Sequence, residues 1–169
     1  MLSKKVEDIL NVQVDKEGYS SHLYLSMAVW AETEGLGGIA DWLYAQAEEE
    51  RIHMLKLVRY INERDGKAKI IAVKEPPAEF GSVREMFDKV MEHEQFITGS
   101  INEIVQVCID ENDHTTHNWI QWFVTEQIEE EASVKALIDK LKLVGDHHMY
   151  MFDRDIMGMR GGEGEAAAE

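Results

Sequence analysis

Proline decides the architecture of this chain before any other residue type is weighed. There are only two, Pro76 and Pro77, side by side in "EPP". A proline inside a helix removes a backbone donor and clashes with the preceding turn. Its absence from Met1 to Glu75 and from Ala78 to Glu169 leaves two long stretches free to be helical. Within them, core-type residues recur every three or four positions, the period of one helix face. A first helix from about Lys4 to Thr33 carries the stripe Val6, Leu10, Gln13, Glu17, Ser20, Tyr24, Met27. "GLGG" (Gly35 to Gly38) breaks it. A second, from about Ile39 to Arg64, carries Ile39, Leu43, Ala47, Glu50, Met54, Leu57, Ile61. Ser82 and Glu85 form an S-x-x-E capping box that opens a third helix with Val83, Phe87, Val90, Glu94, Ile97, Ile101, Ile104, Cys108. After "ENDH" a fourth carries Ile120, Phe123, Gln127, Glu130, Val134, Leu137, Leu141, Val144, with Gly145 as its C-cap.

Short links join the first helix to the second and the third to the fourth, so each pair is an antiparallel hairpin. The link from Asp65 to Gly81 is long enough to cross helices of roughly 40–45 Å, which makes the second and third parallel. The expected fold is all-α: a four-helix bundle with one long crossover plus a short fifth C-terminal helix in "HHMYMFDRDIM". Residues 1–159 form one domain, and residues 160–169 read as a disordered tail. In the short helix, Met149, Phe152 and Ile156 have no place in a bundle that already has its core, so they are expected to pack around the symmetry axis of an oligomer. His147 and His148 with Met149, Met151, Met157 and Met159 could suggest copper or haem; methionine packing on a short helix is the preferred reading. "DENDHTTH" (Asp110 to His117) reads equally as a hydrophilic turn or as the lining of an ion-entry channel.

Composition removes whole classes of function. A net charge of −16 with no basic face excludes nucleic acid as a partner. No run of 18 apolar residues exists, so no membrane span is expected, and the N-terminus lacks the features of a signal peptide. One cysteine, Cys108, excludes a disulfide framework and any CxxC metal module, and a cytoplasmic setting is expected.

The chemistry lies where the stripes are interrupted. Glu17, Glu50, Glu94, Gln127 and Glu130 sit on core-facing positions, and His53 flanks one. A buried, unpaired carboxylate is destabilising by several kcal/mol or takes up a proton. Too few Lys or Arg residues share the stripes to neutralise the set. One such residue alone would read as part of a wet polar layer. All of them at matching levels on four helices point to a metal, because carboxylate and imidazole are good ligands for iron or manganese. The two hairpins also repeat each other. A shift of 77 residues aligns "WLYAQAEEERIH" with "WIQWFVTEQIEE" and carries Glu17 onto Glu94. Glu17 precedes Glu50, and Glu94 precedes Gln127, by the same 33 positions (50 − 17 and 127 − 94).

"EEERIH", Glu17 in "DKEGYSSHLY", Glu94 in "HEQFIT" and "TEQIEEEA" closely resemble the bacterial non-haem ferritins, over nearly the whole chain. The resemblance implies iron storage with ferroxidase activity: ferrous iron oxidised by oxygen or hydrogen peroxide, and ferric mineral held in a hollow shell of twenty-four copies. It implies a di-iron centre in which Glu17 is a terminal ligand, Glu50 bridges both irons, His53 completes the first site, and Glu94 and Gln127 lie at the second. Tyr24 matches a tyrosine that supplies an electron, and Glu49, Glu126, Glu129 and Glu130 match a third iron site. Taken without the resemblance, Glu49, Glu126 and Glu129 read as solvated helix-face charges.

Departures narrow the family. Haem-containing bacterioferritins carry two complete E-x-x-H motifs, whereas the second hairpin here has Gln127-x-x-Glu130. Their haem-ligating methionine is replaced by Arg51, so no haem is expected. The cysteine-rich module of rubrerythrins is absent, and mini-ferritins lack the fifth helix. Two rivals come from other classes: a di-iron oxygenase or peroxidase acting on a small substrate, and a helical interaction protein with incidental acidic patches.

Overall fold

The computed structural model describes residues 1–160. Four long helices, α1 (Lys4–Thr33), α2 (Gly37–Glu63), α3 (Val83–Asp110) and α4 (His114–Val144), precede a short α5 (Met149–Asp155) flanked by 3₁₀ turns at Asp146–His148 and Ile156–Met159. Of the tail expected at 160–169, Arg160 is described and residues 161–169 lie outside the described residues.

Local chemistry sets the ends of the helices. The Ser3 side chain accepts from Val6 N, the Ser82–Glu85 capping box is formed in both directions, and Asp113 accepts from Thr116 N. The last two consume Ser82 and Asp113 in turns. The first three long helices close in one way, with a left-handed residue just past the end: Gly35 (φ 78°), Asp65 (φ 60°) and Asn112 (φ 55°). After Gly35, Leu36 N reaches back to Ala31 O at 2.9 Å, which satisfies a terminal carbonyl. Glycine adopts that conformation without steric cost, and Asp and Asn tolerate it.

Contacts between helices fix their directions. Ser21 donates to Ala47 O and Tyr44 to Glu32, so α1 and α2 are antiparallel. Only Glu111 to Asp113 separate α3 from α4, and Gln127 bonds Glu94 across them, so that pair is an antiparallel hairpin as well. Ser100 meets Gln13 and Tyr24 meets Glu94, which sets α1 against α3. α2 and α3 therefore run parallel. The crossover lies along α1, held by Asn11 near its start (Lys67 O and Lys69 N) and by Ser26 near its end (Pro77 O).

The core is divided. One apolar cluster, with Met27, Leu43, Phe87 and Leu137, fills the α5 end of the bundle, and a second, with Leu10, Leu57, Ile101 and Phe123, fills the other. Glu17, Glu50, His53, Glu94, Gln127 and Glu130 are all buried and belong to neither.

The short helix departs from expectation. Phe152 and Ile156 are 1% and 0% exposed within a single chain, Phe152 edge-on to Phe87, and Met149 packs partly against the same cluster. The bundle end is open enough to take them, so no symmetry axis is needed to cover them. The reason "GLGG" suits this place is now visible. α2 has no side-chain cap of its own; Asp153 of α5 accepts from Ile39 N at 2.8 Å instead. A Cβ at Gly38 would stand 1.8 Å from Asp153 O, so the docking requires glycine there. Nor do the methionines pack as a set, because Met151, Met157 and Met159 are exposed, as are His147 and His148.

Candidate metal centre

Each helix delivers its polar residues to one level of the bundle. α1 supplies Glu17 and Tyr24, α2 supplies Glu49, Glu50 and His53, α3 supplies Glu94, and α4 supplies Glu126, Gln127 and Glu130. Glu17 and Glu50 meet across the first hairpin, and Glu94 and Gln127 across the second. The 33-residue relation in the sequence is thus a pair of cross-helix contacts.

The potential ligand atoms fall into two groups, each with its atoms within 4.8 Å of one another: Glu17, Glu50 and His53, all buried, and Glu49, His53, Glu126 and Glu130. The His53 ring stands between the groups. Its Nδ1 lies 3.4 Å from Glu50 Oε2 and its Nε2 4.0 Å from Glu126 Oε1, with Trp122 and Phe123 edge-on to it. Glu94 belongs to neither group. One of its oxygens accepts from the Tyr24 hydroxyl and the other from Gln127 Nε2 at 3.1 Å. Glu129 is exposed and also lies outside both groups, so the third set expected from the sequence comes together only as Glu49, Glu126 and Glu130, joined by His53.

Charge within the layer is poorly compensated. Burial pushes the Glu50 and Glu130 carboxyls well above their ordinary range, and neighbouring carboxylates push them further. Burial raises Glu94 as well, against the lowering effect of its bonds from Tyr24 and Gln127. The Tyr24 phenol is raised by burial and then by Glu94. Glu17 Oε2 and Glu130 Oε1 are buried and accept no hydrogen bond. Buried polar atoms are almost always satisfied, so two bare carboxylate oxygens in one layer mark positions for a cation.

The same architecture recurs in proteins of known family. A family model described as a ferritin-like domain matches residues 7–144. The chain is 44% identical over 158 residues to a bacterial non-heme ferritin of Campylobacter jejuni, covering 92% of this chain and 95% of that protein. It is 35% identical over 156 residues to one of Bacteroides fragilis, covering 92% and 98%. An open-pore ferritin from the archaeon Archaeoglobus fulgidus superposes with a TM-score of 0.90 at 39% identity, over 92% of this chain and 96% of that one. The chain belongs to the ferritin-like family.

Within that family frame, several residues beyond the stripe glutamates shape the site. Gln13 Nε2 donates to Glu17 Oε1, and Gln46 Nε2 to Glu130 Oε2, each at 2.7 Å. In both cases the amide takes one oxygen, and the other is the partnerless one. Arg160, placed with the tail in the sequence reading, bonds Glu49 Oε2 at 2.5 Å and Trp42 O at 3.4 Å. His93 sits beside the layer, 2.7 Å from Ser20 Oγ and edge-on to Tyr24, and burial lowers its imidazole to about 4. Gln13 lies on the first stripe, and that was the only signal any of these gave; the others depend on contacts between distant segments.

Proposed function

We propose that this chain is an iron-storing ferritin subunit whose buried layer is a ferroxidase centre. Two ferrous ions give up one electron each; with two protons, oxygen leaves as hydrogen peroxide, or hydrogen peroxide leaves as two waters. Ferric product accumulates as mineral inside a hollow shell of twenty-four copies. The observation that best supports this reading is the pair of partnerless oxygens, Glu17 Oε2 and Glu130 Oε1, among carboxyls whose burial and mutual repulsion favour protons until a cation replaces them.

In this reading Glu17 is a terminal ligand, Glu50 bridges the two irons and His53 completes the first site through Nδ1, the nitrogen turned toward Glu50. Glu94 and Gln127 serve the second iron, and Tyr24, already bonded to Glu94, would supply the fourth electron, beside one from each of three ferrous ions, when oxygen is taken with four protons to two waters. Glu49, Glu126 and Glu130 hold a third iron, with Glu129 outside the set. Hard anionic oxygen stabilises the ferric product. This reading includes no haem, because Arg51 stands where a thioether ligand would be needed. The setting is cytoplasmic, and no described helix is long and apolar enough to cross a membrane.

A groove of about 500 Å³ between α2 and α4 opens beside the third group. Glu49 and Glu126 line its inner end, and Ile52, Leu55, Trp119 and Trp122 give it apolar wall as well, so the groove is a mixed route to the third group. Assembly is supported by apolar side chains left open on one chain: Val29, Ile70 and Ile71, with Tyr150 and Met151 on α5. The test is stopped-flow oxidation of two ferrous ions per subunit with oxygen uptake in parallel. Wild-type protein should show a fast phase that Glu50→Ala abolishes; equal rates in the two would overturn the assignment.

A further inference from the structure

Glu17 is held from outside the bundle. Lys16 Nζ lies 2.6 Å from Ser100 Oγ, Ser100 Oγ donates to Gln13 Oε1 at 2.5 Å, and Gln13 Nε2 donates to Glu17 Oε1 at 2.7 Å. Gln13 and Glu17 are each 1% exposed, whereas Lys16 is half-buried at the edge of α1, its ammonium 5.0 Å from the centre of the Phe96 ring.

The direction of this chain is fixed at one end. An ammonium has donors and no acceptor, so the Ser100 hydroxyl must accept from it and turn its own proton to Gln13. Gln13 then presents its carbonyl to Ser100, which leaves its NH₂ for Glu17. An amide turned the other way would set a carbonyl oxygen against a carboxylate. With one lone pair of Oε1 taken by Gln13, Oε2 is the freer donor to a metal, and Oε2 is the atom without a partner.

We infer that Lys16, Ser100 and Gln13 are positioning residues that make Glu17 a ligand through Oε2. The inference rests on the metal reading of Glu17. Hydrogen-bond partners of metal ligands commonly set both orientation and affinity. Here the anchor is a surface cation on α1 acting through a serine of α3, so the packing of those helices reaches the ligand directly.

The test uses the assembled, metal-free protein titrated with Co²⁺ without oxygen, followed by visible d–d absorption, which reports both affinity and coordination. Glu50→Ala serves as a control for the location of the metal. Gln13→Leu should weaken binding by about 10–100-fold and Lys16→Met by about tenfold, both with an altered spectrum as Glu17 chelates through two oxygens. Lys16→Arg keeps a cationic donor and should restore wild-type affinity and spectrum. Lys16 is half-buried, so Lys16→Met carries the test even if Gln13→Leu fails to assemble. No Co²⁺ binding by wild type, or binding that Glu50→Ala leaves unchanged, would overturn the metal reading and this inference with it. Wild-type binding that depends on Glu50 but is matched by Lys16→Met would overturn the inference alone, as would failure of Lys16→Arg to restore what Lys16→Met loses.

Discussion

Replacing Glu50 by glutamine should make the metal-free protein more stable and the metal-loaded protein less so. Glu17, Glu50 and His53 bring ligand atoms within 4.8 Å of one another. Two full negative charges at about that separation repel by about 3.5 kcal/mol at an effective dielectric of about 20. Uptake of a proton relieves part of this, so the net gain from Glu50→Gln, which keeps the shape and removes the charge, should be about 1–3 kcal/mol at pH 8. For a subunit of this size that is roughly 3–10 °C in the unfolding midpoint. The pH dependence has a defined sign. The Glu50 carboxyl is raised in the folded state, so the folded protein binds the extra proton; stability is full below the ordinary value of 4.5 and falls as pH rises through the shifted value. The advantage of Glu50→Gln should therefore shrink toward pH 4.5 and grow toward pH 8. Adding Zn²⁺ should reverse the order of the two proteins, because the wild type gains a bridging ligand that the variant lacks. Scanning calorimetry from pH 5 to 8, with and without Zn²⁺, measures all of this. A metal-free variant less stable than wild type at pH 8, or a gap that does not change with pH, would refute the reasoning.

The two acidic groups should separate by mutation. Glu126→Ala should leave the first oxidation of two irons per subunit nearly intact and change the oxygen consumed per iron, whereas exposed Glu129→Ala should match wild type in both; oxygen-electrode titrations decide. Phe152→Ala should destabilise by about 3–5 kcal/mol, since the ring is 1% exposed and lies against Phe87, and thermal melts will read the loss. Gly38→Ala should undock α5 through the clash with Asp153 O, seen as faster hydrogen exchange at Phe152 to Ile156. Protein expressed with ample haem should show no stoichiometric Soret band, because Arg51 offers no thioether ligand; a bis-methionine haem spectrum would contradict this.

The helices were legible because each stripe repeats at helical period over a long span, and the start of α3 carries a capping box that sequence alone specifies. The ligand layer was legible for the opposite reason: Glu17, Glu50, Glu94 and Glu130 contradict the apolar pattern they sit in, and every one is buried. Glu129 shows the limit of reading an acidic run as a unit. Glu126, Gln127 and Glu130 recur at the spacing of one inward face, and Glu129 falls beside that face, where it meets solvent. What a residue does through a distant partner left no local trace. Gly38 looked like a helix breaker until α5 was seen against it, and Asp153 caps a helix more than a hundred residues earlier in the chain. Gln46, a neutral residue, gave no sign that it would hold Glu130. The burial of Phe152 and Ile156 was missed because stripe counting assumes a closed bundle end, and this end is open.

Storage, as opposed to oxidation alone, is tested most directly by adding ferrous iron in air to the metal-free protein and measuring particle mass and retained iron in the same sample by analytical ultracentrifugation with elemental analysis. The expected result is one closed particle of twenty-four subunits whose mass rises with iron far beyond the few ions each buried layer can hold. A monomer or dimer, or a shell that oxidises iron but retains none beyond those ions, would contradict it.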